Sequence, residues 1–143
     1  MSTTKEQRWI GFDFGLGWIG VAVGQRITAT ATALDSLRAR DGIPDWNDID
    51  RLIEDWQPAG FVVGMPYNMD GSDNEMLVRA NKFRKRLHGR YGLPAIGVDE
   101  RLSSREARQQ LGRAGSSLHK AKGANIDSLS AKLILETYLQ QGD

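Results

Sequence analysis

Three acids stand where an acid needs a reason to be. Asp13 sits among Trp9, Ile10, Phe12 and Phe14 in an otherwise apolar run. A buried, unpaired carboxylate is costly, so such a residue needs a cation, a hydrogen-bond network or a metal. The alternative is a turn aspartate that caps Gly15 through its backbone. Glu100 directly follows the short apolar stretch Ala95–Asp99. Its alternative is a salt bridge to Arg101 or a plain surface acid, and Asp99 is the adjacent candidate. Successive strand residues point to opposite faces, so one of Asp99 and Glu100 should face a common site. Asp127 lies four residues before Ala131 and shares a helical stripe with Ala131, Ile134 and Tyr138. Its alternative is an acid favoured by the helix dipole in a first turn. Three clustered carboxylates repel one another, and without a cation at least one would take up a proton. Hard divalent ions remove the conflict, because Mg²⁺ prefers oxygen ligands and keeps waters. Two such ions about 3.5–4 Å apart can stabilise the attacking and leaving oxygens of a phosphodiester. The expected chemistry is metal-assisted phosphodiester hydrolysis. Asp13, Glu100 and Asp127 are its catalytic and metal-binding residues, and Mg²⁺ or Mn²⁺ is its cofactor.

These acids can meet only if the chain brings them together. Trp9–Phe14 reads as a buried strand. Trp18–Gly24, rich in Ile and Val, and Arg26–Leu34, rich in Thr and Ala, read as two more, with a tight turn near Gln25. Pro44 is placed to open a helix. Trp46, Ile49, Ile53 and Trp56 continue it at spacings of 3, 4 and 3, and Pro58 ends it. Gly60–Met65 is a continuous apolar strand stopped by Pro66. Ser72 and Glu75 have capping-box spacing ahead of a helix with Leu77, Ala80, Phe83, Leu87 and Tyr91 inside. Arg79, Lys82, Lys85, Arg86 and Arg90 lie outside. Gly92 and Pro94 close that helix. Ala95–Asp99 is a fifth strand, and Ser103 with Glu106 is a second capping box opening a helix that ends at Gly112. Arg113–Ala124 reads as a mobile loop and Ile126–Leu139 as the last helix. Three strands followed by helix, strand, helix, strand, helix and helix imply an α/β fold. Its five-stranded mixed sheet would carry helices on both faces. In such a sheet the carboxyl ends of parallel strands share one ligand-binding edge. If the first, fourth and fifth strands are parallel neighbours, Asp13 and Glu100 face the same crevice.

The 143 residues suit a single domain, with residues 1–8 as a frayed arm. The absence of cysteine excludes disulfides, zinc–thiolate sites and thiol catalysis, and suits a reducing cytoplasm. Two histidines, His88 and His119, are too few for a histidine-rich metal centre. No apolar run approaches a membrane span, and the polar start is unlike a signal peptide. The net charge of +1 hides an asymmetry: residues 35–75 hold ten acids against three bases, and residues 79–122 twelve bases against three acids. So marked a basic half suggests a polyanionic partner, with nucleic acid the commonest. A solvated helix face balanced by an acidic one would give the same tally. Lys82, Lys85, Arg86, Arg101, Lys120 and Lys122 are the candidate nucleic-acid-binding residues.

Gly15-Leu-Gly17-Trp-Ile-Gly20 matches a dinucleotide-binding pattern, but that motif must open a helix. Here Ile19, Val21 and Val23 continue as a strand, so the glycines read as a hairpin that lets backbone approach the site.

Four stretches, GFDFGLGWIGVAVG, VVGMPYNMDGS, VDERLSSREA and NIDSLSAKLILETYL, resemble the YqgF/RuvX family in the same motif order. These are pre-16S rRNA nucleases, also called Holliday junction resolvase-like proteins. The resemblance runs over nearly the whole chain. It implies an RNase H-like fold, catalytic Asp13, Glu100 and Asp127, and a role at the 5′ end of pre-16S rRNA. One departure stands out: Leu16-Gly17-Trp18 replaces a stretch that usually carries Lys or Arg. Trp18 is placed either to stack on a base or to fill a hairpin. Tyr67 also replaces a usual aliphatic residue. Precursor rRNA is the favoured partner and branched DNA the alternative. A non-enzymatic nucleic-acid binder is countered by the presence of all three acids. A phosphotransferase with an actin-like phosphate loop lacks a second lobe. A junction resolvase needs two facing sites, hence a dimer; the sequence leaves monomer or weak dimer open.

Overall fold

The computed structural model describes residues 8–102 and 123–141, and in the last helix the side chains from Ser128 onward. The strands are β1 (Arg8–Asp13), β2 (Trp18–Gln25), β3 (Thr30–Arg40), β4 (Ile43–Pro44), β5 (Gly60–Met65) and β6 (Ala95–Asp99). The helices are α1 (Trp46–Trp56), α2 (Glu75–Tyr91) and α3 (Gly123–Gln140). One mixed sheet has the order β4-β3-β2-β1-β5-β6. β1, β2 and β3 form an antiparallel meander, and β5 and β6 run parallel to β1.

Side-chain alternation divides the molecule into two cores. Ile10, Phe12, Val21, Phe61 and Val63 point to the side covered by α1 and α2, where they meet Ile49, Leu77, Phe83 and Leu87. Trp9, Ala22, Val62 and Val98 point to the other side and meet Ala131, Ile134 and Leu135 of α3. Helix α3 lies close because Gly11 has no side chain: a Cβ there would stand 2.7 Å from the Leu135 Cβ. Ser128, 2% exposed, closes the start of this contact by accepting the Val21 N–H and bonding the Ser36 hydroxyl at 2.7 Å.

The expected mixed sheet with helices on both faces is present, with local differences. A sixth strand, β4, is two residues long and below what periodicity can register. The turn expected near Gln25 follows it directly but takes up 26–29, with Ala29 in the left-handed region at φ 54°. Accordingly β3 begins at Thr30 and runs on to Arg40, its charged end held by pairing with β2 up to Arg38 and with β4 beyond. Pro44 does not begin α1; Asp45 caps it by accepting the Asn47 N–H at 3.0 Å. Ser72 does not cap α2 either. Its hydroxyl donates to Asp70 at 2.6 Å, and Asn74 takes the cap by accepting the Leu77 N–H at 2.8 Å. The second capping box, the helix ending at Gly112 and most of the loop 113–124 fall outside the described residues. Gly123 and Ala124 themselves belong to α3. Among the described residues no helix is long and apolar enough to cross a membrane.

Candidate active site

Asp13 ends β1, opposite Gly20 of β2. Along β1, Trp9 and Gly11 face α3 while Ile10 and Phe12 face α1 and α2, so Asp13 lies on the α3 side. On the neighbouring strand Phe12 pairs with Val63, which brings Gly64 level with Asp13. Gly64 in turn pairs with Val98 of β6, and Met65 with Asp99.

Glu100 follows β6 on the α3 side. Its N–H donates to the Met65 carbonyl at 3.0 Å, and its side chain folds back over Gly64. A Cβ at Gly64 would stand 2.9 Å from both Cγ and Oε2 of Glu100 and 2.6 Å from Ile134 Cδ1. The missing side chain is therefore what makes room for a carboxylate between β5 and α3. Gly64 is the site residue that sequence reasoning passed over; a glycine inside an apolar strand was the available signal.

Asp99 points the other way. Its carboxylate holds Arg101 through both oxygens, at 3.0 Å to Nε and 2.6 Å to Nη2. That pairing holds the Asp99 carboxyl below the usual carboxylate range. Glu100 moves oppositely: burial first, then the charge of Asp99, push its carboxyl up. Of the two adjacent acids, both half-buried, Asp99 has its cation and Glu100 lies on the face shared with Asp13.

Asp127 belongs to α3, one residue ahead of the Ser128 that seats the helix on β2. The start of α3 thus lies toward the strand ends that carry Asp13 and Glu100; the Asp127 side chain itself is outside the described residues. Among the described residues no three His, Cys, Asp or Glu side chains are grouped to hold a metal. Two strand-end acids on one face, one of them half-buried with its carboxyl pushed up by its surroundings, are nevertheless an oxygen donor set that a hard cation would satisfy.

The basic residues separate by what they already hold. Arg79 pairs with Asp41 at 3.1 Å and Glu75 at 3.7 Å. Arg84 donates to Asn81 and the Ala95 carbonyl. Arg90 pairs with Asp50 at 3.9 Å and lies over Trp46. Lys82, Lys85 and Arg86 are exposed, with no carboxylate partner among the described residues. They lie on α2, on the sheet face opposite α3. Lys82 and Arg86 border a groove of about 410 Å³ that is also lined by Phe14, the residue after Asp13. Arg101 is committed to Asp99 and stacks on Tyr67 at 5.5 Å. Lys120 and Lys122 lie outside the described residues. The glycine-rich stretch 15–20 opens β2 and no helix, which confirms that it is no dinucleotide motif.

A family model described as RuvX, Holliday junction resolvase, matches residues 7–141. The chain belongs to the RuvX family. Relatives named "Putative pre-16S rRNA nuclease" from Citrobacter koseri and from Escherichia coli K12 are each 51% identical over 135 residues, covering 93% of this chain and 96% of theirs. The fold is similar to that of Thermus thermophilus RuvC in complex with a Holliday junction substrate, with a TM-score of 0.55 at 16% identity over 96% of this chain and 97% of that one. The yeast mitochondrial Holliday junction resolvase matches with a TM-score of 0.55 at 10% identity, over 95% of this chain and 78% of its own. The RuvX chain described above thus has the RNase H-like fold of these two structures, in a family of nucleases.

Proposed function

We propose that this RuvX protein is a cytoplasmic, divalent-metal-dependent nuclease that hydrolyses phosphodiester bonds in single-stranded precursor rRNA, at the 5′ end of pre-16S rRNA. The observation that carries the reading is the Glu100 carboxylate folded over Gly64 on the face where Asp13 ends β1. Asp13, Glu100 and Asp127 would hold Mg²⁺ or Mn²⁺. When bound, such an ion supplies an activated water and stabilises the charge that builds on the phosphate. The chain's own part is to hold two acids at strand ends on one face, one of them folded over Gly64. Precursor rRNA as the substrate is supported by the names of the relatives at 51% identity. Lys82, Lys85 and Arg86 would bind the phosphate backbone as it passes the carboxyl edge of the sheet.

The test compares purified protein with Mg²⁺ or Mn²⁺ on a short precursor RNA, the same sequence as duplex, and a four-way DNA junction. Cleavage of the single-stranded RNA, lost in Asp13→Asn, is the expected result. Asp13→Asn should fold with equal or higher stability in the absence of metal, because one repelling charge is gone. Full activity in Asp13→Asn would remove the carboxylate site. Paired symmetric nicks in the junction with the RNA intact would replace the substrate.

A further inference from the structure

At the far side of Asp13 from Glu100, the same edge carries a pair of residues that the carboxylate site does not use. Trp18 begins β2 and pairs across to Arg38 on β3. Ile19 and Val21 belong to the core beneath α1 and α2, so Trp18 lies on the α3 side with Asp13 and Glu100. Arg38 reaches that side because β3 carries an extra residue. Val21 pairs with Leu34 and Ile19 with Leu37, leaving Asp35 and Ser36 opposite the single Gly20. Without that bulge, Arg38 would share a face with Leu34; with it, Leu37 keeps the core and Arg38 turns outward beside Trp18.

The pair is rigid beneath and open above. The Gly17 carbonyl accepts from Ala39 and the Leu16 carbonyl from Gly42, both at 2.8 Å, which fixes the approach to Trp18. Beside it, a Cβ on Gly17 would meet nothing within 4 Å. The Arg38 guanidinium stands 5.3 Å from the Trp18 ring centre. Arg38 is exposed, Trp18 is half-buried, and among the described residues no carboxylate pairs with Arg38. Arg101 over Tyr67 has a similar geometry, but Asp99 neutralises it at 2.6 Å and Tyr67 packs on the α2 side. A cation free to take an anion, set beside an aromatic face, is what an unpaired nucleotide requires.

We propose that Trp18 and Arg38 form a binding subsite for one unpaired nucleotide of the substrate, the indole stacking on its base and the guanidinium pairing with its phosphate. The subsite rests on the nuclease reading above, and it makes that reading selective for single strands, since a paired base presents no free face to Trp18.

The test measures binding of the full chain in EDTA, so that nothing is cut, to a short single-stranded RNA, the same RNA with abasic positions, and its duplex. Trp18→Leu should weaken binding of the intact single strand about tenfold, leave abasic RNA and duplex nearly unchanged, and be rescued by Trp18→Phe. Arg38→Gln should lower the slope of log affinity against log salt by about 0.7, the share of one phosphate contact on a single strand. If Trp18→Leu folds poorly, the salt slope of Arg38→Gln decides alone. Variants that fold, bind like the wild type and keep its salt slope would make the pair a cross-strand packing contact and overturn the subsite. In parallel, wild-type cleavage with metal that depends on Asp13 keeps the nuclease reading standing when the subsite fails. Trp18-dependent binding without any cleavage supports the subsite and removes the nuclease reading.

Discussion

Glu100 and Asp99 are chemically near-identical neighbours, yet a half-turn of strand geometry gives them opposite surroundings. Asp99 meets Arg101 in water, an exposed contact of the kind worth about 0–1 kcal/mol. Glu100 folds back over Gly64, whose missing side chain leaves the space. The smallest change that tests this arrangement is Gly64→Ala. The added methyl would meet Ile134 Cδ1 at 2.6 Å and the Glu100 carboxylate at 2.9 Å. Overpacking of this kind costs about 1–3 kcal/mol, and the expelled carboxylate should take cleavage with it. Thermal melting and a cleavage assay on Gly64→Ala check both effects; unchanged cleavage would mean that Glu100 works from another position. The sequence marked both acids as candidates, and the alternation rule said that one would face inward. Which one depends on where β6 ends relative to Gly64, a register between strands that are distant in the chain.

At the scale of elements, ends and bulges decide more than periodicity does. Helix α2 follows the apolar spacing expected of it, but its cap moves from Ser72 to Asn74 because Asp70 has already engaged Ser72. Asn74→Ala should therefore lower stability by about 1 kcal/mol, the usual worth of an N-cap, and Ser72→Ala by clearly less. Denaturant melts of the two variants separate the assignments, and the reverse order would restore Ser72 as the cap. The same helix is tied to α1 at its other end, where the Tyr91 hydroxyl donates to Asp50 at 2.6 Å. Burial, and then this bond, push the Tyr91 hydroxyl up to about 12. Its folded pKa is raised, so its contribution to stability is whole below the ordinary tyrosine value near 10. That contribution is lost as pH rises through about 12. A near-ultraviolet alkaline titration should show one late-ionising tyrosine, absent in Tyr91→Phe and moved downward in Asp50→Ala. Three tyrosines ionising together would contradict the contact.

Over the whole molecule, the acidic and basic halves seen in the sequence are partly each other's partners. Arg79 and Arg90, which the tally counts toward a polyanion, are turned back onto Asp41, Glu75 and Asp50. Lys82, Lys85 and Arg86 remain exposed on α2. They lie across the sheet from α3, so they would bind a substrate that bends around the carboxyl edge, past Phe14, and not one confined to the α3 side. Replacing all three with Gln should weaken nucleic-acid binding for every sequence. It should also reduce the salt slope by as much as about three, about one for each lost phosphate contact. Binding measured across a salt series checks this, and an unaltered slope would make these side chains a solvated face.

What the sequence determined by itself was local and repetitive. Continuous apolar runs gave Gly60–Met65 and Ala95–Asp99 as strands, helical spacing gave the inner face of α2, and strand-end acids gave Asp13 and Glu100 as candidates. These signals are legible because side-chain exposure repeats with the backbone's own period. The two-residue β4, the length of β3 and the cap of α2 were not legible, since each depends on a partner remote in sequence. Only the tertiary structure brought Gly64 beneath Glu100 and level with Asp13, because that placement is a register between parallel strands distant in the chain. Only it carried Arg38 across to Trp18, because a bulge changes which face a residue occupies without leaving any mark in composition or spacing.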